Sequence, residues 1–193
     1  VGKKNTAAEN VEHTCFVVDR RDKYRCLKRV LDYHPDIYGI VFCRTKRDTQ
    51  EIADKLLTDG YDADSLHGDL SQSQREYVMK KFRDKNVRIL VATDIAARGL
   101  DVTGLTHIIH YQLPEKTEIY THRSGRTGRA GKSGESIAFV ERKERYRLTR
   151  IEKSIRKTIV EGTLPKTQEI LERRLHSLIE DIKETPVDGE MMS

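Results

Sequence analysis

The chain has 193 residues, and its 36 Lys and Arg outnumber its 31 Asp and Glu to give a formal net charge of +5. This length suits one domain with a full hydrophobic core and an appendage, and the charge permits an anionic partner. No apolar run approaches the roughly 18 residues of a membrane helix, and residues 1–10 lack the apolar core of a signal peptide. Cys15, Cys26 and Cys43 form no Cys-x-x-Cys pair. We therefore expect a reduced, cytoplasmic protein with no membrane partner.

Apolar, β-rich runs alternate with helix-period segments from residue 11 to residue 141. Strands are predicted at residues 14–18, 38–43, 63–66, 89–92, 107–111 and 136–140. Helices are predicted at residues 23–33, 48–58 and 72–82, the last opened by a capping box of Ser71 and Gln74. This alternation is typical of βαβ units and of a mostly parallel sheet with helices on both faces.

Three loops that follow predicted strands are polar and basic, at residues 43–47, 67–69 and 92–101. Ligands of a parallel sheet bind in the loops beyond the carboxyl ends of its strands. Helix starts near Arg47 and Ser71 offer free N–H groups to phosphates at the same edge. The sequence therefore predicts a surface that contacts a nucleic-acid backbone, with no evident element that reads bases.

Residues 120–129 place Arg123, Arg126 and Arg129 at three-residue intervals, with Gly125 and Gly128 between them. Guanidinium groups stay protonated and can each grip phosphate oxygens with two N–H groups. Glycine removes the side chains that would keep a ligand away from the backbone. We interpret the segment as a polyphosphate-binding device, and a solvated basic loop is the alternative.

Four segments together resemble the C-terminal RecA-like domain of a DEAD-box ATP-dependent RNA helicase of the bacterial cold-shock type. They are residues 40–45 for motif IV, 72–75 for the Q-x-x-R element, 93–101 for motif V and 122–129 for motif VI, in the family's order. The resemblance implies an α/β fold, a RecA-like three-layer sandwich with a mostly parallel central sheet and a C-terminal helical extension. Ser124 departs from the family pattern, which more often has an apolar residue there.

The resemblance also implies roles for single residues in ATP hydrolysis. Arg126, Arg129 and His122 are the expected catalytic residues, with Arg129 as the arginine finger that stabilises the phosphoryl-transfer transition state. Arg126 and Arg129 also belong to the expected ATP-binding set. Asp101, expected on the ATP ribose, and Gly99 complete that set.

Further roles implied by the resemblance concern RNA and the second domain of the protein. Arg98 and His122 are expected to link this domain to an N-terminal RecA-like domain. The residues expected to contact the RNA backbone are Thr45, Gly68, Gln72, Arg75 and Thr93. Gln72 and Arg75 could instead form an ordinary helix face.

No metal site is expected within this chain. His67, His107 and His110 are interpreted as packing or surface residues, because the chain lacks a Cys/His/Asp cluster with zinc spacing. Asp94 and Asp101 can each cap a helix or a turn, and for Asp94 that interpretation is preferred to catalysis.

The chain contains neither G-x-x-x-x-G-K-[ST] nor Asp-Glu-Ala-Asp. The resemblance implies that ATP and Mg²⁺ are held largely by an N-terminal domain outside these residues, so the chain alone is expected to be inactive. The expected function is the C-terminal half of an ATP-dependent RNA helicase, which supplies the arginine finger and RNA-backbone contacts for RNA-stimulated ATP hydrolysis and local duplex unwinding. The alternatives are a DNA-directed superfamily 2 helicase domain and a non-catalytic RNA-binding module.

Beyond residue 140 the composition predicts charged helices. The spacing of Leu148, Ile151, Ile155 and Ile159 predicts one helix packed on the sheet, before glycine and proline break the chain. We therefore expect a RecA-like domain at residues 1–145, a helical extension at 146–184 and a disordered tail at 185–193.

A second helix carries a short heptad seam, the residues Leu171, Leu175, Leu178 and Ile182. Two interpretations remain open for it. The helix either lies back on its own domain or begins a dimerisation region, which makes a homodimer a possible assembly.

Overall fold

The computed structural model describes residues 10–129 and 131–184, which form a parallel sheet flanked by helices. The strands are β1 (Val11–Val17), β2 (Gly39–Cys43), β3 (Ala63–Leu66), β4 (Ile89–Thr93), β5 (His107–His110), β6 (Gly134–Val140) and β7 (Val160–Glu161). The helices are α1 (Lys23–Tyr33), α2 (Lys46–Thr58), α3 (Gln72–Arg83), α4 (Thr117–Ser124), α5 (Arg145–Ile155) and α6 (Thr167–Glu184). Within the described residues no helix is both long and apolar enough to cross a bilayer.

The strand order in the sheet is β3-β4-β2-β5-β6-β1-β7, and every neighbouring pair is parallel. The carboxyl ends of the strands therefore lie at one edge, and the loops after β2, β3 and β4 leave the sheet side by side. This arrangement confirms the prediction of an α/β fold with a mostly parallel sheet.

Successive residues of β2 point to opposite faces of the sheet and join different cores. Val41 and Cys43 pack with α1 and α2 on one face. Ile40 and Phe42 pack with α3 on the other face. Helices α4 and α5 cover β1 and β6 on the α3 side, around the fully buried Tyr120. The result is three layers, with both faces of the sheet buried, as the unbroken apolar runs predicted.

Capping side chains determine where two helices on the loop edge begin. Thr45 caps α2 by accepting a hydrogen bond from Asp48 N at 3.0 Å, so α2 begins two residues before the predicted start. The predicted capping box of α3 is present: Ser71 Oγ accepts from Gln74 N at 3.3 Å, and Gln74 Oε1 accepts from Ser71 N at 2.9 Å. Both helices therefore start at the carboxyl edge of the sheet.

The region after β6 differs from its predicted form. Ile151 and Ile155 are buried as expected, but α5 ends at Ile155 because Arg156 adopts a left-handed conformation at φ +54°. Ile159 is buried outside the helix, so the prediction of one helix through that residue is wrong. The chain instead turns to form β7 beside β1.

One face of helix α6 packs against α1. Ile170 is buried there, the Arg173 guanidinium lies 4.5 Å from the Tyr33 ring centroid, and Arg174 pairs with Asp32. The predicted helix is therefore present, with contacts to its own domain. The predicted disordered tail, 185–193, lies outside the described residues.

Candidate functional site

The residues predicted to contact RNA lie along the carboxyl edge of the sheet. Thr45 follows β2, Gly68 follows β3, and Thr93 ends β4. Thr45 and Gly68 are exposed, and Thr93 is half-buried with its hydroxyl 3.4 Å from Ala96 N. A Cβ atom added to Gly68 would meet no heavy atom within 4 Å. This edge is therefore open to a ligand.

The first turns of α3 extend the same edge. Arg75 is half-buried, and its Nη2 donates to the carbonyl oxygen of Ala96 at 2.6 Å. Gln72 is exposed and donates to Glu76 Oε1 on its own helix at 2.7 Å. Arg75 thus ties α3 to the loop after β4, while Gln72 has the contacts of an ordinary helix face.

A lysine contact joins the loops after β2 and β3. Lys46 Nζ lies 2.8 Å from Asp69 Oδ2, and this contact holds the pKa of the Asp69 carboxyl below its ordinary value. Gly68 precedes that carboxylate in the chain. The exposed backbone of Gly68, which has no side chain, therefore lies close to the positively charged start of α2.

Arg123, the first arginine of the basic segment, is a core residue. Its side chain is 3% exposed, its Nε donates to Asp94 Oδ1 at 2.6 Å and its Nη2 donates to Asp94 Oδ2 at 2.8 Å. Its guanidinium also lies 4.9 Å from the Phe42 ring centroid and donates to the carbonyl of Gln112 at 3.0 Å. Arg123 is therefore not available to hold phosphate, which corrects the expectation of three phosphate-binding arginines.

Asp94 supplies the negative charge that the buried guanidinium of Arg123 requires. Its carboxylate accepts both hydrogen bonds of a planar guanidinium, the strong two-pronged pairing of arginine with an acid. The sequence favours a helix or turn cap at this position, and the structure shows instead that Asp94 anchors α4 to the loop after β4.

A buried polar network surrounds Ser124, the residue that departs from the family pattern. Ser124 Oγ lies 2.8 Å from Ser136 Oγ and 3.3 Å from His110 Nε2. Tyr120 stacks on His110 with ring centroids 4.2 Å apart. Burial, and next the nearby Arg123, lower the pKa of His110 well below its ordinary value, so its ring is neutral. The serine hydroxyl is thus satisfied inside the core.

Arg126 and Arg129 differ from Arg123 in their surroundings. Arg126 is half-buried, with Nη1 donating to the carbonyl of Leu100 at 3.1 Å. Burial, and next the charge of Arg129, lower the pKa of Arg126 from its ordinary value. Arg129 is exposed, and its Nε donates to the carbonyl of Gly125 at 2.8 Å. Both guanidinium groups keep N–H donors for an anion.

A small cleft of about 80 Å³ brings several of the predicted residues together. Arg98, His122 and Arg126 line it, together with Asp94 and Arg123. Arg98 and His122 are exposed. Residues predicted from motif V and motif VI thus share one cleft.

The carbonyl that Arg126 contacts belongs to the residue between Gly99 and Asp101. Gly99 adopts φ +71°, a conformation that favours glycine, and Asp101 is exposed. Arg126 therefore fixes the position of the predicted ribose-binding loop.

The glycines of the basic segment have structural reasons of their own. Gly128 adopts φ +66°, and a Cβ atom there would lie 2.6 Å from Val11 Cγ2. A Cβ atom at Gly125 would lie 3.2 Å from the carbonyl oxygen of Thr121. Close packing against β1 and α4 therefore accounts for both glycines, where the sequence suggested access for a ligand.

A wide cleft of about 980 Å³ lies at the carboxyl edge beyond Thr45. Seven basic residues line it, among them Arg20, Arg21 and Arg44, together with four acidic residues, Asp48, Glu51, Glu141 and Glu144. Its basic side chains continue the positively charged edge toward β1 and β6. Sequence reasoning did not single out this surface, although the Arg20-Arg21 pair after the first predicted strand is a visible signal.

Comparison with known proteins agrees with this geometry. The family described as helicase conserved C-terminal domain matches residues 22–131. The chain is 44% identical over 179 residues to the ATP-dependent RNA helicase DeaD of Mycobacterium tuberculosis. The aligned region covers 93% of this chain and 31% of that protein. The chain thus spans about a third of that relative's length.

Solved structures give the same result. A DEAD box protein from Methanococcus jannaschii superposes with a TM-score of 0.75 at 45% identity, over 80% of this chain and 42% of that one. Saccharomyces cerevisiae Dbp5 bound to RNA and ADP BeF3 superposes with a TM-score of 0.78 at 26% identity, over 91% of this chain and 46% of that one. The chain belongs to the DEAD-box ATP-dependent RNA helicase family and corresponds to the RecA-like C-terminal helicase domain of its members.

Proposed function

We propose that this chain supplies one half of an RNA-stimulated ATPase site, and that Arg129 is its arginine finger. The observation that carries the proposal is the difference between the three arginines of the basic segment. Arg123 is buried and paired with Asp94, whereas Arg129 is exposed and Arg126 lines an open cleft. An exposed guanidinium held at its base by a backbone carbonyl suits the stabilisation of charge on a transferring phosphoryl group.

ATP would be held across two domains. In this chain Arg126 and Arg129 would face the phosphates, and Asp101, beside the Leu100 carbonyl that Arg126 contacts, would face the ribose. Arg98 and His122, exposed at the same cleft, would reach the N-terminal RecA-like domain. Closure of the two domains would exclude water from the site.

Mg²⁺ would be held by the N-terminal domain. Of the carboxylates near the cleft, Asp94 has both oxygens engaged by Arg123, and Asp101 is a single exposed acid. Octahedral Mg²⁺ sites draw on carboxylates together with phosphate oxygens and water. The described residues of this cleft therefore do not supply an ion site, and the chain alone is expected to hydrolyse no ATP.

RNA would lie along the carboxyl edge of the sheet. Thr45, Gly68 and Thr93 stand at the ends of adjacent strands, and Arg75 reaches the same edge from α3. Hydroxyl, backbone N–H and guanidinium donors in one row suit phosphate contacts, which position a strand without reading its sequence. Domain closure on that strand would part a duplex locally.

The test is RNA-stimulated ATP hydrolysis by this chain joined behind the N-terminal RecA-like domain of a DEAD-box helicase. Replacing Arg129 with alanine should lower turnover by about 10³- to 10⁵-fold. The matched control is Arg83→Ala, an exposed arginine at the far end of α3, which should leave turnover unchanged. Equal turnover of Arg129→Ala and wild type would refute the finger assignment and favour a non-catalytic RNA-binding module.

We also propose that α6 pairs with a second copy of the chain. One side of the helix contacts α1, and the seam residues on the other side, Leu171, Leu175, Leu178 and Ile182, are 56% to 65% exposed. Apolar residues at alternating spacings of four and three form self-complementary seams between two helices. The occupant that this pattern fits is the same helix of another copy.

Sedimentation equilibrium tests this assembly. Wild type should show a dimer that Leu175→Glu converts to a monomer, while His176→Glu, one residue away on the exposed outer side, should remain dimeric. A wild-type chain that is strictly monomeric at high concentration would contradict the proposal.

The free thiols suit a reducing compartment, and we propose that the protein acts in the cytoplasm. Cys15, Cys26 and Cys43 are buried with free thiols. Burial raises the pKa of the Cys15 thiol to about 11 and raises the pKa of the other two. Neutral, buried thiols resist oxidation and behave as small apolar side chains.

A further inference from the structure

A cluster of metal-ligand side chains lies at the amino edge of the sheet, opposite the site described above. His34 follows α1, His107 begins β5 and Glu135 is the second residue of β6. His107 Nε2 lies 3.1 Å from His34 Nδ1 and 3.5 Å from Glu135 Oε1. Glu135 Oε2 lies 3.9 Å from His34 Nε2. One potential ligand atom of each residue lies within 4.8 Å of the other two.

The hydrogen bonds of Thr106 determine which nitrogen of His107 carries a proton. The Thr106 hydroxyl has one proton, and it donates this proton to the carbonyl of Tyr38 at 3.1 Å. Thr106 Oγ1 must therefore accept from His107 Nδ1, which lies 2.8 Å away. In the neutral ring the remaining nitrogen, Nε2, then carries a lone pair.

This nitrogen faces the Glu135 carboxylate and the His34 ring. Glu135 Oε1 is 3.5 Å from Nε2, and two acceptors at that distance repel each other unless a positive charge lies between them. The gap therefore favours a cation, which is either a proton on Nε2 or a metal ion.

The distances suit a small tetrahedral ion. Zinc bonds of about 2.0 to 2.1 Å place two ligand atoms of a tetrahedron about 3.3 to 3.4 Å apart. The observed separations at His107 Nε2, 3.1 Å and 3.5 Å, bracket this value. Two imidazoles and one carboxylate favour Zn²⁺ over Mg²⁺ or Ca²⁺, which prefer oxygen ligands.

We propose that His34, His107 and Glu135 form a zinc site, with water as the fourth ligand. The hydrogen bond that His107 Nδ1 donates to Thr106 Oγ1 fixes the orientation of the ring, as the second nitrogen of a metal-bound histidine usually does. Such an ion would join the end of α1 to the starts of β5 and β6. It would therefore stabilise the domain far from the nucleotide cleft.

Solvent reaches the cluster through an open cleft of about 380 Å³ between the sheet and α6. The side chain of Glu135 is 42% exposed, whereas those of His34 and His107 are 14% and 8% exposed. Glu12 and Glu169 also line this cleft, and Arg173 is its cationic side chain, stacked over Tyr33. An ion can therefore enter from the Glu135 side without unfolding of the core.

The experiment is a titration of the metal-free chain with Zn²⁺ by calorimetry at neutral pH, and with Co²⁺ by visible absorption. Wild type should bind one Zn²⁺ per chain, show the intense absorption of tetrahedral Co²⁺ and unfold at a higher temperature with Zn²⁺ than without it. His34→Ala and Glu135→Gln, both at partly exposed positions, should each weaken Zn²⁺ binding at least about tenfold. His176→Ala, an exposed histidine on α6, should bind as wild type does.

Two results would overturn the proposal. One is a wild-type chain that takes up no Zn²⁺ and gives no Co²⁺ absorption band. The other is equal affinity of wild type, His34→Ala and Glu135→Gln, which would place the bound ion elsewhere, for example on a cysteine.

Discussion

Arg123 grips both carboxylate oxygens of Asp94, at 2.6 Å and 2.8 Å, and thereby fastens helix α4 to the loop after β4. A second contact, from Arg126 to the carbonyl of Leu100, fastens the same two segments further along. The residues that we assign to ATP therefore belong to one preorganised unit. Groups fixed before the ligand arrives need no reorganisation during the reaction.

We expect Asp94→Ala to destabilise the isolated domain. It leaves the Arg123 guanidinium, 3% exposed, without its anion. Breaking a fully buried pair costs about 3 to 5 kcal/mol, and the 31% exposure of Asp94 should reduce this loss to about 2 to 3 kcal/mol. Urea unfolding measures the loss, and a double-mutant cycle with Arg123→Met should show strong coupling. Additive effects of the two substitutions would contradict the pairing.

Gly128→Ala should be more harmful than the same change at Gly60. Both glycines have positive φ, +66° and +86°, so each alanine variant should lose about 1 to 2 kcal/mol from its backbone conformation. A Cβ atom at Gly128 would also lie 2.6 Å from Val11 Cγ2, whereas Gly60 has open space. Overlap in a packed site adds about 1 to 3 kcal/mol. Equal unfolding free energies of the two variants would show that β1 moves aside at no cost.

Arg75→Ala should weaken RNA binding and flatten its salt dependence. If this guanidinium neutralises one phosphate, its loss lowers the slope of log affinity against log salt by about 0.7 for single-stranded RNA. Titration of a labelled RNA strand into the two-domain protein at several salt concentrations measures the slope. Arg83→Ala on the same helix serves as the control. Weaker binding with an unchanged slope would indicate that Arg75 acts only by holding Ala96.

Acid should destabilise the fold partly through His13. Burial, and next the charge of Lys157, lower the pKa of His13 to about 4, below the ordinary value of 6.5. Between pH 6.5 and 4 the unfolded chain binds a proton that the folded chain excludes. The free energy of unfolding therefore decreases as the pH is lowered, by up to about 1.4 kcal/mol per pH unit. Above pH 6.5 neither state binds this proton, and the effect vanishes.

The variant His13→Gln isolates this contribution. All other ionisable side chains are the same in both proteins, so the comparison isolates the change at residue 13. The loss of unfolding free energy between pH 7 and pH 5 should therefore be smaller in the variant by about 2 kcal/mol. An identical loss in both proteins would mean that His13 binds its proton equally well in the folded and the unfolded chain.

The sequence was sufficient for most of the sheet and its covering helices. Strands such as β2 and β4 are unbroken apolar runs between polar loops, and the capping box at Ser71 marks the start of α3. Both signals are local, so they can be read without knowing the fold. The row of candidate RNA-binding residues followed from the strand ends alone.

Helix α4 escaped prediction because it carries no apolar stripe. Its buried residues are Tyr120, Arg123 and Ser124, and two of these are polar. Their burial depends on partners distant in sequence, Asp94 and Ser136. No local pattern could therefore separate the core arginine from the two that face the cleft. The glutamate and histidines of the proposed zinc site are equally scattered along the chain.

The strand order also constrains the order in which the strands can pair while the chain is being synthesised. Val11 at the start of β1 pairs in register with Gly134 of β6, whereas β2, β3, β4 and β5 pair among themselves. At about 5 to 20 residues per second, β1 leaves the ribosome on the order of ten seconds before its partner. During that interval β1 has neither of its neighbouring strands, β6 and β7, to pair with. We infer that the central strands assemble first, that β1 docks only when β6 is in place, and that β7 then adds to the free edge of β1.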